Sequence, residues 1–245
     1  MTDAAVGDSR LAEKVARYGW YHTLDLGGGV VTRGMFDHRP AVDRYLLPAD
    51  LSGMRCLDVG TMDGFWAFEM ERRGAAEVVA LDIDDPEALD WPAAQRAKVV
   101  KTLDETKGER FALATRALAS SVRRELRSVY EIDTDLGQFD LVFCGDLFIH
   151  LKDPATAAER LLSVCGGSAI VANPVKRFRF AGGKPMAEFD GIDEFGWWLT
   201  NTAGLRRLLL AAGFNRVEAG REFLLPATSG GPWKGRRGVV RGWVT

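Results

Sequence analysis

The chain has 245 residues, of which 47% are hydrophobic and 27% are charged, and its formal net charge is −2. The length suits one α/β domain with a large core, and the hydrophobic content excludes intrinsic disorder as the main state. A strong nucleic-acid footprint would need a basic excess, so the charge balance argues against a nucleic-acid partner.

Residues 1–50 are predicted to form a cap segment of helices and loops that precedes the main domain. Residues 1–10 are expected to be a loose tail, residues 11–18 a short amphipathic helix, and PAVDRYLL a second helix. Between the helices lies GWYHTLDLGGGVVTRGMFDHRP, whose three consecutive glycines at 27–29 are incompatible with a stable helix. We expect this stretch to be a structured loop or hairpin ahead of the core.

Residues 51–245 alternate between strand and helix patterns, and we predict a single domain over this range. Strands are predicted over 55–59, 77–82, 122–127, 139–144 and 167–173, and in the closing stretches VEAGREFLL and GVVRGWV. Helices are predicted over 65–73, 92–103, 109–119, 154–164 and 202–212, with an irregular, aromatic-rich insertion at 174–198. Such alternation implies an α/β, doubly wound, mostly parallel sheet that binds ligands at the carboxyl ends of its strands.

The stretch DVGTMDG at 58–64, with Asp82 at the end of the next strand, is typical of a nucleoside site. Gly60 lets the backbone turn sharply, and free N–H groups at the following helix start can bind a carboxylate. An acid about 20 residues later can accept hydrogen bonds from two ribose hydroxyls. Because Met62 stands where a dinucleotide motif has its second glycine, the pattern favours a nucleoside with a smaller charged tail. A tight turn without a ligand is the alternative.

These residues resemble motif I and the acidic strand end of class I S-adenosylmethionine-dependent methyltransferases. The chain is most similar to the branch with tRNA U34 methyltransferase/carboxymethyltransferase-like proteins, through WYHTLDLGGGVVTRGMFDHRP, LDVGTMDGFWAFEMERRGA, FDLVFCGDLFIHLKDP and WWLTNTAGLRRLLLAAGF. The resemblance implies a Rossmann-like, doubly wound, seven-stranded sheet whose last strand is antiparallel. It also implies S-adenosyl-L-methionine as the cofactor and S-adenosyl-L-homocysteine as the product.

The resemblance further implies which residues bind this cofactor. Asp82 would hold the ribose, Ile83 would lie against the adenine, and Gly145 would sit beside the methionyl group. The full predicted set is Asp58, Gly60, Thr61, Gly64, Asp82, Ile83, Ser128, Val129 and Gly145. Two positions depart from the family pattern, since many members have an acid at the position of Ser128 and a glycine at that of Met62.

Three residues are candidates for catalysis: His150, Asp146 and His22. His150 follows the strand at 139–144, and an imidazole with its ordinary pKa could accept a proton from an attacking group. The alternative is a structural histidine that anchors its loop, because a sulfonium is already reactive and positioning supplies much of the rate.

Aromatic residues are candidates for the acceptor pocket. Trp20, Tyr21 and Phe36 accompany His22 and His38 in the cap segment, and a Trp pair precedes the last helix. Each group either packs in the core or lines the pocket, where it would suit a flat or hydrophobic substrate. The predicted substrate-binding residues are Trp20, Tyr21, Phe36, Trp197 and Trp198.

The function expected is methyl transfer from S-adenosylmethionine to a small-molecule acceptor, such as a secondary metabolite with an aromatic or hydrophobic body. The alternative is a tRNA wobble-uridine modifying (carboxy)methyltransferase, whose extra cofactor carboxylate would need cations such as Arg33 and Lys176. A non-catalytic nucleoside-binding protein is a third possibility. The basic clusters at 123–127, 206–207 and 234–237 are expected to be solvent-exposed.

Other features bear on cofactors, partners and location. The three histidines lie in separate segments, so no metal is expected. Cysteines at 56, 144 and 165 form no recognisable framework and are expected in the core, which favours a reducing compartment, the cytoplasm. The polar start of the chain predicts no signal peptide, and no apolar stretch predicts a membrane span. A homodimer is compatible with these features.

Overall fold

The computed structural model describes residues 3–93, 95–96, 107–191, 196–229 and 234–245. Twelve strands lie in these ranges: β1 Trp20–His22, β2 Gly34–Phe36, β3 Arg55–Val59, β4 Glu77–Asp82, β5 Arg123–Leu126, β6 Phe139–Gly145, β7 Cys165–Pro174, β8 Ala187–Phe189, β9 Trp198–Thr200, β10 Arg216–Ala219, β11 Phe223–Pro226 and β12 Lys234–Trp243. The α-helices there are α1 Asp3–Val15, α2 Phe65–Arg72, α3 Lys107–Ala117, α4 Pro154–Ser163 and α5 Thr202–Ala212. Short 3-10 helices span Arg39–Tyr45, Pro86–Ala88, Val129–Glu131, Thr134–Leu136 and Phe148–His150.

The central sheet has the order β10-β12-β7-β6-β3-β4-β5, with β11 paired along β12. Strands β5, β4, β3, β6 and β7 are parallel, whereas β12 is antiparallel to β7. This confirms the expected doubly wound sheet of seven strands with an antiparallel last strand. After β5 the chain crosses back to place β6 on the other side of β3, so the strand order reverses between these two strands.

Apolar runs explain the central strands, which are covered on both faces. Successive side chains of a strand point to opposite faces, so Cys56 of β3 packs with α2, α3 and the cap segment. Leu57, the next residue, packs with α4 and α5 on the other face. All three cysteines are free and buried, which confirms them as core residues.

The cap segment differs from expectation at its start. Residues 3–10 are helical rather than a loose tail, because α1 begins at Asp3 and continues to Val15. PAVDRYLL forms a 3-10 helix instead of an α-helix, and Leu46 ends it with a φ of 57°. The glycine-rich stretch is a structured loop in which β1 pairs with β2 in parallel. Gly34 is required there, because a Cβ atom would lie 2.1 Å from the backbone carbon of His22.

Other local predictions have mixed outcomes. The last α-helix is capped by Asn201, which accepts from the Gly204 N–H at 2.8 Å, and ends at Gly213 as its sequence indicates. The closing stretch VEAGREFLL forms two strands, β10 and β11, because both pair with the long β12 on either side of a break. The insertion contains the hairpin β8–β9, and the helix predicted over 92–103 lies largely outside the described residues. Within the described ranges, no helix is long and apolar enough to cross a membrane.

Candidate active site

A cavity of about 850 Å³ lies where the strand order reverses, at the carboxyl ends of β3, β4, β6 and the segment after β5. One side is formed by strand ends such as Gly60, Asp82 and Gly145, and the other side by Tyr21 and Phe36 of the cap segment. The volume is typical of small-molecule sites, and this position is the usual ligand crevice of open α/β sheets.

The turn from β3 into α2 brings backbone close to the cavity. Gly60 has a φ of 76°, and a Cβ atom there would lie 3.2 Å from the Leu147 side chain. Met62 also has a left-handed backbone, with a φ of 56°, which is uncommon for a residue with a side chain. Its N–H donates to Oδ2 of Asp82 at 2.7 Å, and this charge-assisted bond stabilises the turn.

Asp82 ends β4 and is buried beside this turn. Its other oxygen, Oδ1, accepts from the Ile83 N–H at 2.8 Å. Ile83 and Val129 add apolar wall next to this carboxylate, and Ser128 caps the short helix after β5. A strand-end carboxylate beside apolar side chains and an open backbone turn fits a nucleoside that carries an amino-acid tail.

Asp58, Thr61 and Gly64 lie behind the turn rather than in the cavity wall. The Thr61 hydroxyl donates to Oδ2 of Asp58 at 2.7 Å, and both residues are buried. Burial raises the pKa of Asp58 to about 7, although the Thr61 hydrogen bond opposes the shift. Gly64 begins α2, where a Cβ atom would lie 2.4 Å from the Phe68 ring. These three residues therefore support the shape of the turn.

The cap segment is tied to the turn through Asp63, which is fully buried. Its Oδ2 accepts from the backbone N–H groups of Tyr21 and His22 at 2.8 and 3.0 Å, and Oδ1 is hydrogen-bonded to Nδ1 of His22. The His22 ring stacks on Phe65, with ring centroids 5.4 Å apart and planes 23° apart. His22 is thereby held in the cavity wall.

A buried ion pair closes the far side of the cavity. Arg237 of β12 donates from Nε to Oδ2 of Asp146 at 3.0 Å, and the Tyr21 hydroxyl donates to the same oxygen at 3.1 Å. Burial and the Asp146 carboxylate raise the pKa of the Tyr21 phenol well above its usual value, so it remains a donor. Oδ1 of Asp146 has no hydrogen-bond partner within the described ranges.

His150 lies in the cavity wall at the end of a short 3-10 helix. Its ring stacks on Trp91 with centroids 5.0 Å apart and planes 16° apart. Nearby, Asp90 accepts from the Tyr130 hydroxyl and from the Lys152 N–H, both at 2.6 Å. This part of the cavity is therefore a stacked aromatic wall held by hydrogen bonds.

Sequence comparison identifies the class of this chain. The methyltransferase domain family matches residues 37–219. The chain belongs to this family. No curated protein sequence matches it.

Solved structures of methyltransferases share the fold. The N-terminal domain of EvdMO1 with SAH bound has a TM-score of 0.62 and 16% identity, over 100% of this chain and 98% of that domain. Magnesium protoporphyrin IX methyltransferase from Synechocystis PCC 6803 with bound SAM has 0.54 and 16%, over 84% and 77%. An S-adenosylmethionine-dependent methyltransferase from Mesorhizobium loti has 0.52 and 18%, over 84% and 97%. The expected enzyme class, an S-adenosylmethionine-dependent methyltransferase, and its cofactor are confirmed.

The methyltransferase brings most of the residues predicted for its site into one cavity. Of the predicted cofactor residues, the cavity wall contains Gly60, Asp82, Ile83, Ser128, Val129 and Gly145. The candidate catalytic and substrate residues in the wall are His150, Asp146, His22, Trp20, Tyr21 and Phe36. Trp197 and Trp198 are absent from this wall, because their indole N–H groups donate to the backbone oxygens of Asp90 and Lys152 at 2.7 and 3.1 Å.

Two residues of the methyltransferase site were not anticipated. Asp63 carries a weak signal, an acid inside a glycine turn, but its partner His22 is distant in sequence and periodicity does not reveal the pairing. Arg237 was expected to be solvent-exposed, and this is wrong, since it is 1% exposed. Among the described residues, no group of three or more His, Cys, Asp and Glu side chains could hold a metal ion, and metal independence stays a prediction.

Proposed function

We propose that this methyltransferase acts on a small acceptor with an aromatic or hydrophobic body, such as a secondary metabolite. The observation that carries the proposal is the apolar wall opposite the strand ends, which contains Trp20, Met35, Phe36, Leu199 and Ala227. Apolar walls with a few polar groups are typical of small-molecule pockets, and aromatic side chains contribute large apolar contact areas.

The proposed division of the cavity follows from its chemistry. Asp82 would accept from the ribose hydroxyls, Ile83 and Val129 would contact the adenine, and the Gly60 turn and Gly145 would lie along the methionine part. The bound cofactor supplies a methyl group on a positively charged sulfur. The acceptor would then enter between the end of β6 and the cap segment, residues 1–50, which we propose as a cap over the site.

The charges around the cavity favour this proposal over a tRNA (carboxy)methyltransferase. Arg127 pairs with Asp135 at 2.6 Å and Arg237 with Asp146 at 2.9 Å, so two cationic side chains of the wall have anionic partners within the chain. Lys176 pairs with Glu188 at 2.6 Å, and neither Lys176 nor Arg33 belongs to the wall. RNA phosphates or an extra cofactor carboxylate would have to displace these carboxylates.

The proposal includes a cytoplasmic enzyme. Free, buried cysteines at 56, 144 and 165 support a reducing compartment. Purification from a cytoplasmic fraction and size measurement in solution would test the location and the expected homodimer.

Transfer of a radioactive methyl group tests the proposal. The protein is incubated with methyl-tritiated S-adenosylmethionine and either a protein-free metabolite extract or total tRNA, and acid precipitation separates RNA from small molecules. Label is expected in the organic-soluble fraction and is expected to be lost with Asp82→Ala. Label confined to the precipitated RNA would establish the tRNA alternative instead.

A further inference from the structure

His22 and Asp63 form a pair whose geometry determines where the imidazole proton lies. An ionised carboxylate can only accept hydrogen bonds, so Nδ1 of His22 carries the proton that faces Oδ1 of Asp63. In the neutral ring, Nε2 then has a free lone pair. Nε2 makes no hydrogen bond to any described residue, and His22 belongs to the cavity wall.

The surroundings place this lone pair at the reacting end of the proposed site. Asp63 adjoins Met62 and lies between Gly60 and Gly64, in the turn proposed for the methionine part of the cofactor. Tyr21, the neighbour of His22, is hydrogen-bonded to Asp146 at the end of β6. The imidazole is therefore bracketed by the two strand ends that would flank the sulfonium and its methyl group.

We propose that His22 is the catalytic base of methyl transfer, that Asp63 is its positioning residue, and that the acceptor atom is a hydroxyl oxygen. The inference rests on the proposed function, since it needs a small acceptor in the cavity. A neutral hydroxyl is a weak nucleophile that must lose its proton on methylation, so a base that reaches this proton accelerates the transfer.

In the proposed step, Nε2 of His22 takes the hydroxyl proton while the acceptor oxygen bonds to the methyl carbon. The electron pair of the methyl–sulfur bond stays on sulfur, which becomes neutral. Asp63 stabilises the resulting imidazolium, as carboxylates do in other histidine pairs. The proton then passes from Nε2 to solvent, which restores the neutral ring.

Other titratable groups surround His22 and belong in its pH response. His38 faces it with ring centroids 5.0 Å apart, and burial, followed by the charges of His22 and Arg237, lowers the pKa of His38 well below its usual value. Tyr21 lies beside the ring, with centroids 4.8 Å apart. Asp58, behind the turn, interacts with His22 through its charge. A neutral His38 next to Asp63 leaves His22 as the histidine of this cluster that holds a carboxylate.

Asp63→Asn tests the pair with little change in shape. Because Oδ2 receives two backbone N–H groups, the amide oxygen should take that position and turn the amide NH₂ toward Nδ1 of His22. The NH₂ can only donate, so the proton of His22 should move to Nε2, where it blocks the base. Long-range proton–nitrogen spectra of labelled histidine report this tautomer directly, without an acceptor, and His22→Gln assigns the signal.

Turnover with two phenols separates a base from a structural role. Phenol must lose its proton in the site, whereas 4-nitrophenol is largely ionised in mildly alkaline buffer. Asp63→Asn is expected to lower kcat for phenol by about 10²–10⁴-fold, the usual range for a lost base, and to lower it much less for 4-nitrophenol. Calorimetry should show nearly unchanged affinity for S-adenosylhomocysteine. Asp43→Asn is the matched control, because the Asp43 side chain is 96% exposed.

Each outcome is decisive. A tautomer that moves to Nε2 without a loss of phenol turnover, or an equal loss for both phenols, overturns the role of His22 as a base. A tautomer that does not move overturns the role of Asp63. Methylation of an amine or carbon acceptor at the wild-type rate by Asp63→Asn overturns this inference and keeps the proposed function, whereas label found only in RNA overturns the proposed function itself.

Discussion

Arg237 and Asp146 form an ion pair across β7: Nη2 of the arginine lies 2.9 Å from Oδ2 of the carboxylate, and the Arg237 side chain is 1% exposed. Arg237 comes from β12 and pairs in register with Pro174 of β7, while Asp146 directly follows β6 on the other side of β7. The Tyr21 hydroxyl joins the same oxygen. The pair thus connects the antiparallel last strand, the parallel core and the cap segment.

Arg237→Met should destabilise the protein strongly, because it leaves the Asp146 carboxylate buried without its cation. Removal of one partner of a buried ion pair costs roughly 3–5 kcal/mol. The double variant Arg237→Met with Asp146→Asn removes both charges and should recover part of this loss. Urea denaturation of the three variants measures the effect, and a double variant no more stable than Arg237→Met would contradict the explanation.

Asp82→Ala should weaken the binding of S-adenosylmethionine and S-adenosylhomocysteine at least about tenfold. Each hydrogen bond from a ribose hydroxyl to this carboxylate is worth on the order of 1.5–3 kcal/mol, and the variant also frees the Met62 N–H that Asp82 accepts at 2.7 Å. Calorimetry measures both affinities. Asp82→Asn retains one acceptor oxygen and should lie between wild type and Ala, and unchanged affinity in the Ala variant would refute the assignment.

Methyl transfer should need no metal ion. The described residues contain no His, Cys, Asp and Glu group suited to one, and the proposed step uses only the chain's own base. Turnover after EDTA treatment and gel filtration should equal that of the untreated protein. Activity that is lost with the chelator and restored by magnesium would show that this prediction is wrong.

Local pattern made the β3–α2–β4 unit and Asp82 predictable. The unit is contiguous in sequence, its strands are apolar runs, and a glycine turn and strand-end acid follow at fixed spacing. The stop at Gly213 and the cap at Asn201 were readable for the same reason, since helix ends depend on a few neighbouring residues.

Long-range pairing explains what the sequence did not reveal. Arg237 lies in KGRRGVVRGW, where other arginines share its pattern, and only the pairing of β12 with β7 determines that Arg237 faces Asp146. Asp63 is 41 residues from His22, and no periodicity connects the two. Trp197 and Trp198 looked suitable for a pocket, but hydrogen bonds to Asp90 and Lys152 hold their indoles elsewhere.

His150 should act through its ring rather than through its nitrogen atoms, because it stacks on Trp91 in the cavity wall. His150→Phe keeps a stacking ring and removes proton acceptance, so its turnover should stay near that of wild type. His150→Ala removes the ring and should raise KM for the acceptor. A turnover loss of about 10²-fold or more in the Phe variant, the range for a lost base, would instead assign the proton transfer to His150.

Asp58 should make the stability of the protein fall as the pH rises from about 4 to about 7. Burial raises the pKa of Asp58 to about 7 in the folded state, whereas an unfolded aspartate titrates near about 3.9. Between these values the folded state binds more protons than the unfolded state, so the free energy of unfolding decreases with pH and is level again above the folded pKa. Asp58→Asn cannot ionise and keeps an acceptor for the Thr61 hydroxyl. Relative to wild type, the variant should therefore gain on the order of 3 kcal/mol across this window. Urea denaturation of both proteins at a series of pH values measures the difference, and Asp43→Asn, at an exposed site, should follow wild type throughout. Stability curves of wild type and Asp58→Asn that run parallel across the window would show that Asp58 is ionised in the folded protein throughout.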